Sequence, residues 1–228
     1  MQMKRWAALA LWLLIPGSAS AEFALDLYGG ATRGNVDLTV NGTAINDLST
    51  YTRPTVGVRL GYWLPSAHWF GMGLDVFYME PDIENQTAST PIGGLPIAAI
   101  DISTLAVAFD AIKLRAPLII SEDFPHGRFQ PALALGPALF FSEVKDTNNF
   151  NPPNQSQRDT RLGFKANAGA TFMLTRTIGL FGEYRFTYYQ IDAPFTTTVP
   201  GFGTASGTVE HDMMVHALIG GLTLRFGE

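Results

Sequence analysis

The chain contains no cysteine among its 228 residues. Small exported domains commonly lean on disulfides, so any stability here must have another source. Long apolar runs are missing too. The main one, residues 6–15, falls short of the roughly 20 residues that a membrane-crossing helix needs. A membrane protein built from the rest of the chain must therefore be a barrel and not a helix bundle. Basic clusters are also absent, and the formal net charge is −5. Nothing in that balance forms the electrostatic footprint of nucleic-acid binding. No histidine pair has metal-ligand spacing, and without cysteine a zinc centre is not expected. The glycines alternate along segments or sit in turns and build no phosphate cradle. No cofactor is expected.

What is present begins with an export signal. Lys4 and Arg5 supply the positive start, residues 6–15 the apolar stretch, and Pro16-Gly17 its break. Ala19-Ser20-Ala21 is a small-residue cleavage site. The expected organisation is a signal peptide over residues 1–21 and one barrel domain over residues 22–228.

That domain carries a rhythm. In residues 164–172, Phe164, Ala166, Ala168, Ala170 and Phe172 alternate with Lys165, Asn167, Gly169 and Thr171. Successive side chains of a strand face opposite sides, so this segment has an apolar and a polar face. Eight such segments are predicted, at about 22–33, 52–64, 69–80, 101–115, 129–141, 160–174, 178–190 and 209–226. Each reaches the roughly 9–11 residues that a tilted strand needs to cross a bilayer. The fourth changes phase, with Leu105, Val107 and Phe109 on one parity and Ile112 and Leu114 on the other. A β-bulge near Asp110 or Ala111 would reconcile them. The fifth holds Pro131 and Pro137, which are awkward in a fully paired strand.

The gaps fix a topology. Long ones, rich in Asn, Thr, Ser, Gly and Pro, follow the first, third, fifth and seventh segments. Those after the second and sixth are a few residues long, and that after the fourth is intermediate. All long loops then emerge at one end and both termini lie at the other. Long extracellular loops and short periplasmic turns are the layout of outer-membrane barrels. Tyr62, Trp63, Trp69 and Phe70 bracket the first short turn, where an aromatic girdle belongs.

Residues 179–186, Gly-Leu-Phe-Gly-Glu-Tyr-Arg-Phe, and residues 220–226, Gly-Gly-Leu-Thr-Leu-Arg-Phe, carry a specific likeness. They resemble the last two strands of the eight-stranded OmpA/OmpX-like outer-membrane barrels. The resemblance implies a closed, all-β, antiparallel up-and-down barrel in the cell outer membrane. It also implies a structural or surface-interaction role through four extracellular loops. Its partners would be outer-membrane lipid, an unidentified ligand of the loops, and the barrel assembly machinery. That machinery would recognise the terminal strand ending at Phe226.

The faces predicted to point inward hold charges of both signs. The acids are Glu22, Asp26, Asp75, Asp110 and Glu183, and the bases Arg53, Arg59, Arg161, Lys165, Arg185 and Arg225. An eight-stranded barrel is just wide enough for side chains to fill it, and buried charges must pair. Asp26, Arg59, Asp75, Lys165, Glu183 and Arg185 are the expected lumen network. Arg59 should lie at the depth of Asp75, and Lys165 should meet Glu183 or Arg185.

Two uses of that network stay open: a salt-bridge plug, or a narrow ion path of low conductance. A lipid-acting enzyme would need a catalytic triplet. Glu210-His211-Asp212 is the nearest approach, but no nucleophile pattern accompanies it, so no catalytic residue is assigned. A soluble lipocalin-like barrel is the remaining reading. It fits less well, because the small and charged residues share one face and the bulky apolar ones the other. His68 and His126 fall in separate turns with no predicted shared site.

Overall fold

The computed structural model describes residues 21–40, 43–90, 93–97, 99–145, 156–199 and 203–227. The predicted signal segment, residues 1–21, therefore lies outside the described residues, apart from Ala21. Eight long strands build the wall: β1 (Glu22–Val40), β3 (Arg53–Leu64), β4 (Ala67–Met79), β7 (Asp101–Arg115), β8 (Phe129–Lys145), β9 (Ser156–Met173), β10 (Ile178–Val199) and β11 (Gly203–Phe226). Each pairs antiparallel with the next, and β1 pairs with β11 from Phe23↔Phe226 to Val40↔Val209. The sheet is thus closed, which removes the edges that lipid would not tolerate.

Three shorter strands decorate one end. Strand β2 (Thr43–Ser49) folds back on the outer half of β1, and β5 (Gln86–Thr90) pairs with β6 (Gly93–Ile97). We call this the outer end. The inner end carries the termini, the two-residue turn Pro65-Ser66 and the connections between β7 and β8 and between β9 and β10.

The predicted segments match these strands, but five run further outward than predicted. Strand β1 continues to Val40, β8 to Lys145 and β10 to Val199, while β9 starts at Ser156 and β11 at Gly203. Much of what reads as loop in the sequence is therefore wall.

The bulge lies where the phase change placed it. Gly71 and Gly73 pair with Lys113 and Asp110, and Ala108 and Ile112 pair with Ala138 and Leu135. Strand β7 thus carries one extra residue against both neighbours. Gly136 makes room for it, since a Cβ there would sit 1.8 Å from the Phe109 carbonyl oxygen. The same irregularity accommodates the prolines. The Pro131 carbonyl accepts from the Ala116 amide (2.9 Å), so this face of β8 bonds toward β7. Pro131 lies past the last β7 pair, Arg115↔Ala132, and Pro137 lies opposite the interrupted stretch. At neither place does an intact ladder require the missing donor.

The strands keep one phase while their chemistry inverts. Along β1, Phe23, Leu25 and Leu27 point out and Glu22, Ala24 and Asp26 point in. Further outward, Arg33, Asn35 and Asp37 point out, while Val36 and Leu38 point in and are fully buried. The wall outside is thus apolar near the inner end, as lipid contact requires, and polar near the outer end, as water requires. The inside changes the opposite way.

The lipid-facing belt includes Leu60, Leu74, Phe109, Leu135, Leu180 and Leu222, all substantially exposed. Aromatic residues rim it, with Phe23 against Tyr62 (ring centroids 5.2 Å) and Trp69 against Phe70 (6.0 Å) at the inner border. Above the belt, the β9–β10 ladder stops at Phe164↔Tyr188 although both strands continue. Side chains bridge the resulting seam: Arg161 pairs with Asp159 and Asp192, and Asp159 accepts from the Asp192 amide (2.8 Å).

Candidate functional site in the barrel lumen

The inward side chains form three layers. At the inner end Glu22 is held by two guanidiniums. Arg115 grips it through two parallel bonds of 2.7 and 2.6 Å, and Arg225 Nη1 lies 2.8 Å from its Oε1. Such fork-to-carboxylate geometry is the strong form of a charge-assisted bond. Arg225 also donates to Gln130 Oε1 (2.6 Å), while Gln130 donates to the Gly127 and His126 carbonyls. Arg115 stacks over the Trp63 ring, 4.2 Å from its centroid.

The middle layer is built around Asp75, whose side chain has no solvent exposure. Its carboxylate accepts from Tyr28 Oη (2.5 Å), Lys165 Nζ (2.5 Å), Arg185 Nη2 (2.9 Å) and Arg59 Nε (3.3 Å). Lys165 also reaches Asp110 at 2.8 Å. Arg59 crosses the barrel to Glu183 with bonds of 2.9 and 2.5 Å, and lies 3.5 Å from Asp26. Asn167 donates to Glu183 (3.1 Å). The guanidiniums of Arg59 and Arg185 face the Tyr28 ring, and Arg185 also faces Phe77 at 4.2 Å.

The outer layer is apolar. Phe140 stacks on Tyr189 with centroids 4.1 Å apart and planes 6° from parallel, and Phe77 meets Phe140 edge-on. Met79, Ile102, Ile191 and Met213 pack around them, all at most 1% exposed. Strand β2 adds Ile45 and Leu48, and Ile83 and Ile100 join them through a short bridge that also involves Thr50. The Tyr189 hydroxyl keeps a partner in this layer at Thr104 (3.3 Å).

The structure thus brings Asp26, Arg59, Asp75, Lys165, Glu183 and Arg185 together in one buried cluster. Register puts Arg59 opposite Asp75, as the sequence predicts. Lys165 departs from its predicted partners and pairs with Asp75 and Asp110. Register places it opposite Thr187, and across so narrow a lumen a long side chain reaches the facing wall. Arg53 and Arg161 leave the expected set as well. Arg53 pairs with Asp82 (2.8 Å) and Arg161 with Asp159 and Asp192, all beyond the belt at the outer end.

Lys113 and Arg115 are lumen cations that the predicted inward set lacks. The bulge turns both inward, so the phase change at residues 110–112 was their signal. Trp63 departs from its girdle position. As the neighbour of outward Tyr62 it points inward and is 3% exposed. His68 and His126 meet, with rings 4.6 Å apart, because their turns cap neighbouring strands at the inner end. Glu210-His211-Asp212 is split by strand alternation, with His211 inside the wall and its two neighbours outside.

A closed barrel with an apolar belt, aromatic borders and a filled interior is an integral β-barrel membrane protein. Residues 7–226 match the family described as the outer membrane protein beta-barrel domain, and the chain belongs to that family. It is accordingly a protein of the cell outer membrane. Among solved structures it is similar to the outer membrane protein OprG from Pseudomonas aeruginosa. There the identity is 14%, the TM-score 0.54, and the match covers 93% of this chain and 99% of that one. It is also similar to a major outer membrane protein from Thermus thermophilus, with 14% identity, a TM-score of 0.53 and coverage of 91% and 100%. At these identities the likeness concerns the fold. Among curated proteins none matches the sequence.

Proposed function

We propose that this protein is a non-conducting, non-enzymatic barrel that holds a surface platform in the outer membrane. The observation that carries the reading is the stacking of two unlike seals in one lumen. Ions leaving the aqueous side would have to displace paired charges in the middle layer. They would then have to cross the apolar layer around Phe77, Phe140 and Tyr189, which gives a charge nothing to bind. Each layer opposes conduction for a different reason.

The strands that protrude past the belt supply the platform. They present polar side chains such as Arg33, Asn35, Asp37, Glu210 and Asp212 to the outside. A ligand of the loops and recognition of the strand ending at Phe226 by the assembly machinery belong to this proposal. Strand alternation puts His211 on the face opposite Glu210 and Asp212, so the triplet does not act as one unit.

Planar-bilayer recording on protein extracted from outer membranes tests the reading. The expected result is a silent baseline with protein present, alongside heat-modifiable gel mobility that proves a folded barrel. A steady wild-type conductance would promote the pore in its place: small steps a narrow ion path through the lumen, large steps a porin-like channel.

A further inference from the structure

We infer that the lumen holds a small monovalent anion of halide size, in the cavity between the inner and middle charged layers. The inference goes beyond the plug and stands whether or not the barrel conducts. Its first support is charge. Among the described residues the two charged layers contain five carboxylates, Glu22, Asp26, Asp75, Asp110 and Glu183. Against them stand six cations, Arg59, Lys113, Arg115, Lys165, Arg185 and Arg225. The surplus has a location. Asp75 and Asp110 are matched by Lys165 and Arg185, and Glu183 by Arg59. Toward the inner end the carboxylate nearest Lys113 is Asp26, which it shares with Arg59.

The second support is space. A cavity of about 40 Å³ lies there, lined by Asp26, Arg59, Trp63, Lys113, Arg115 and Arg225 among others. A buried water needs roughly 10–15 Å³ of such volume, so the cavity admits a few waters or one hydrated halide but no organic anion.

The third support is unused donors. Lys113 is buried, yet the carboxylate nearest its ammonium, Asp26, is 4.0 Å away, and Arg59 shares that carboxylate. The ammonium also faces the Trp63 ring, 5.1 Å from its centroid. Space for it exists because residue 61 is glycine, whose absent Cβ would lie 2.9 Å from Nζ. Trp63 Nε1 is buried and has no hydrogen-bond acceptor among the described residues. A cation whose carboxylate is distant and shared, and an N–H donor without an acceptor among the described residues, beside a cavity lined by further cations, are groups that bind an anion.

Trp63 also supplies the probe. Trp69→Phe leaves it as the sole indole between Glu22 and Glu228. The protein is refolded from urea into detergent in iodide, chloride or gluconate at equal ionic strength, so that an occluded site fills during folding. Iodide should quench Trp63 saturably, chloride should reverse the quenching, and caesium should not reproduce it. The urea midpoint should be higher in chloride than in gluconate. Lys113→Met should lose both effects, and Asp26→Asn, which adds one surplus charge, should enlarge the chloride effect. The inference is overturned if quenching is linear, matches that of caesium, or persists in Lys113→Met. If Lys113→Met does not refold, a urea midpoint indifferent to the anion in wild type and Asp26→Asn overturns it equally.

Discussion

Single residues decide the lumen because each is asked to satisfy several others. Asp75 is the clearest case. It sits on β4 in register with Arg59, yet its carboxylate serves groups from β1, β3, β9 and β10. Removing one member of a buried charge cluster leaves its partners uncompensated, which typically costs about 3–5 kcal/mol. Asp75→Asn keeps the shape and one carbonyl acceptor but turns an N–H₂ toward Lys165 and Arg185. Its urea midpoint in detergent should fall by an amount in that range. Arg161→Gln is the control, because Arg161 lies at the exposed seam, where ion pairs contribute little. An equal shift for both variants would show that Asp75 is no hub.

At the scale of the strand, elements such as β1 and β11 are written for two solvents. Below, lipid surrounds the wall and the interior is polar; above, water surrounds it and the interior is apolar, with no change of phase. This explains what could be read from the sequence. The belt halves were legible, down to the bulge in β7, because bulky apolar residues on one parity alternate with small or charged ones on the other. The outer halves were not, because Arg33, Asn35 and Asp37 alternating with Val36 and Leu38 contradict the rule that located the belt. A search for apolar-out strands therefore ends at the water line and reads the remainder as loop. The partners of Lys165 were illegible for another reason: register gives neighbours along the wall and not contacts across the lumen.

The two halves should respond differently to substitution. Leu74→Arg, on the belt between Leu60 and Phe109, should cost about 2–4 kcal/mol at mid-membrane depth, measured by folding into lipid vesicles. Phe140→Ala removes the centre of the outer aromatic stack and should cost about 3–5 kcal/mol. Its mark should be local, with faster cleavage by protease added to intact cells and unchanged heat-modifiable mobility. Loss of the folded band in Phe140→Ala would show that the two halves do not separate in this way.

For the molecule as a whole, closure and filling depend on each other. Pairing β1 with β11 leaves no edge, but it also fixes a lumen too narrow for water to solvate isolated charges, so the interior must nearly balance. Among the described residues the two charged layers balance to within one positive charge, and that excess sets the sign of any leak. Glu183→Ala takes from Arg59 its two closest bonds and raises the excess to two. Arg59 keeps Asp75 at 3.3 Å and Asp26 at 3.5 Å. The barrel should therefore still fold, while water and ions relieve the exposed guanidinium. Current through Glu183→Ala in a salt gradient should reverse at a potential favouring anions, since a fixed positive layer concentrates the opposite charge. Adding Phe140→Ala should increase that current by thinning the apolar layer in series with it. A leak that favours cations would place the conducting path outside the charged lumen, along the seam above Phe164 and Tyr188, where Asp159 and Asp192 face each other.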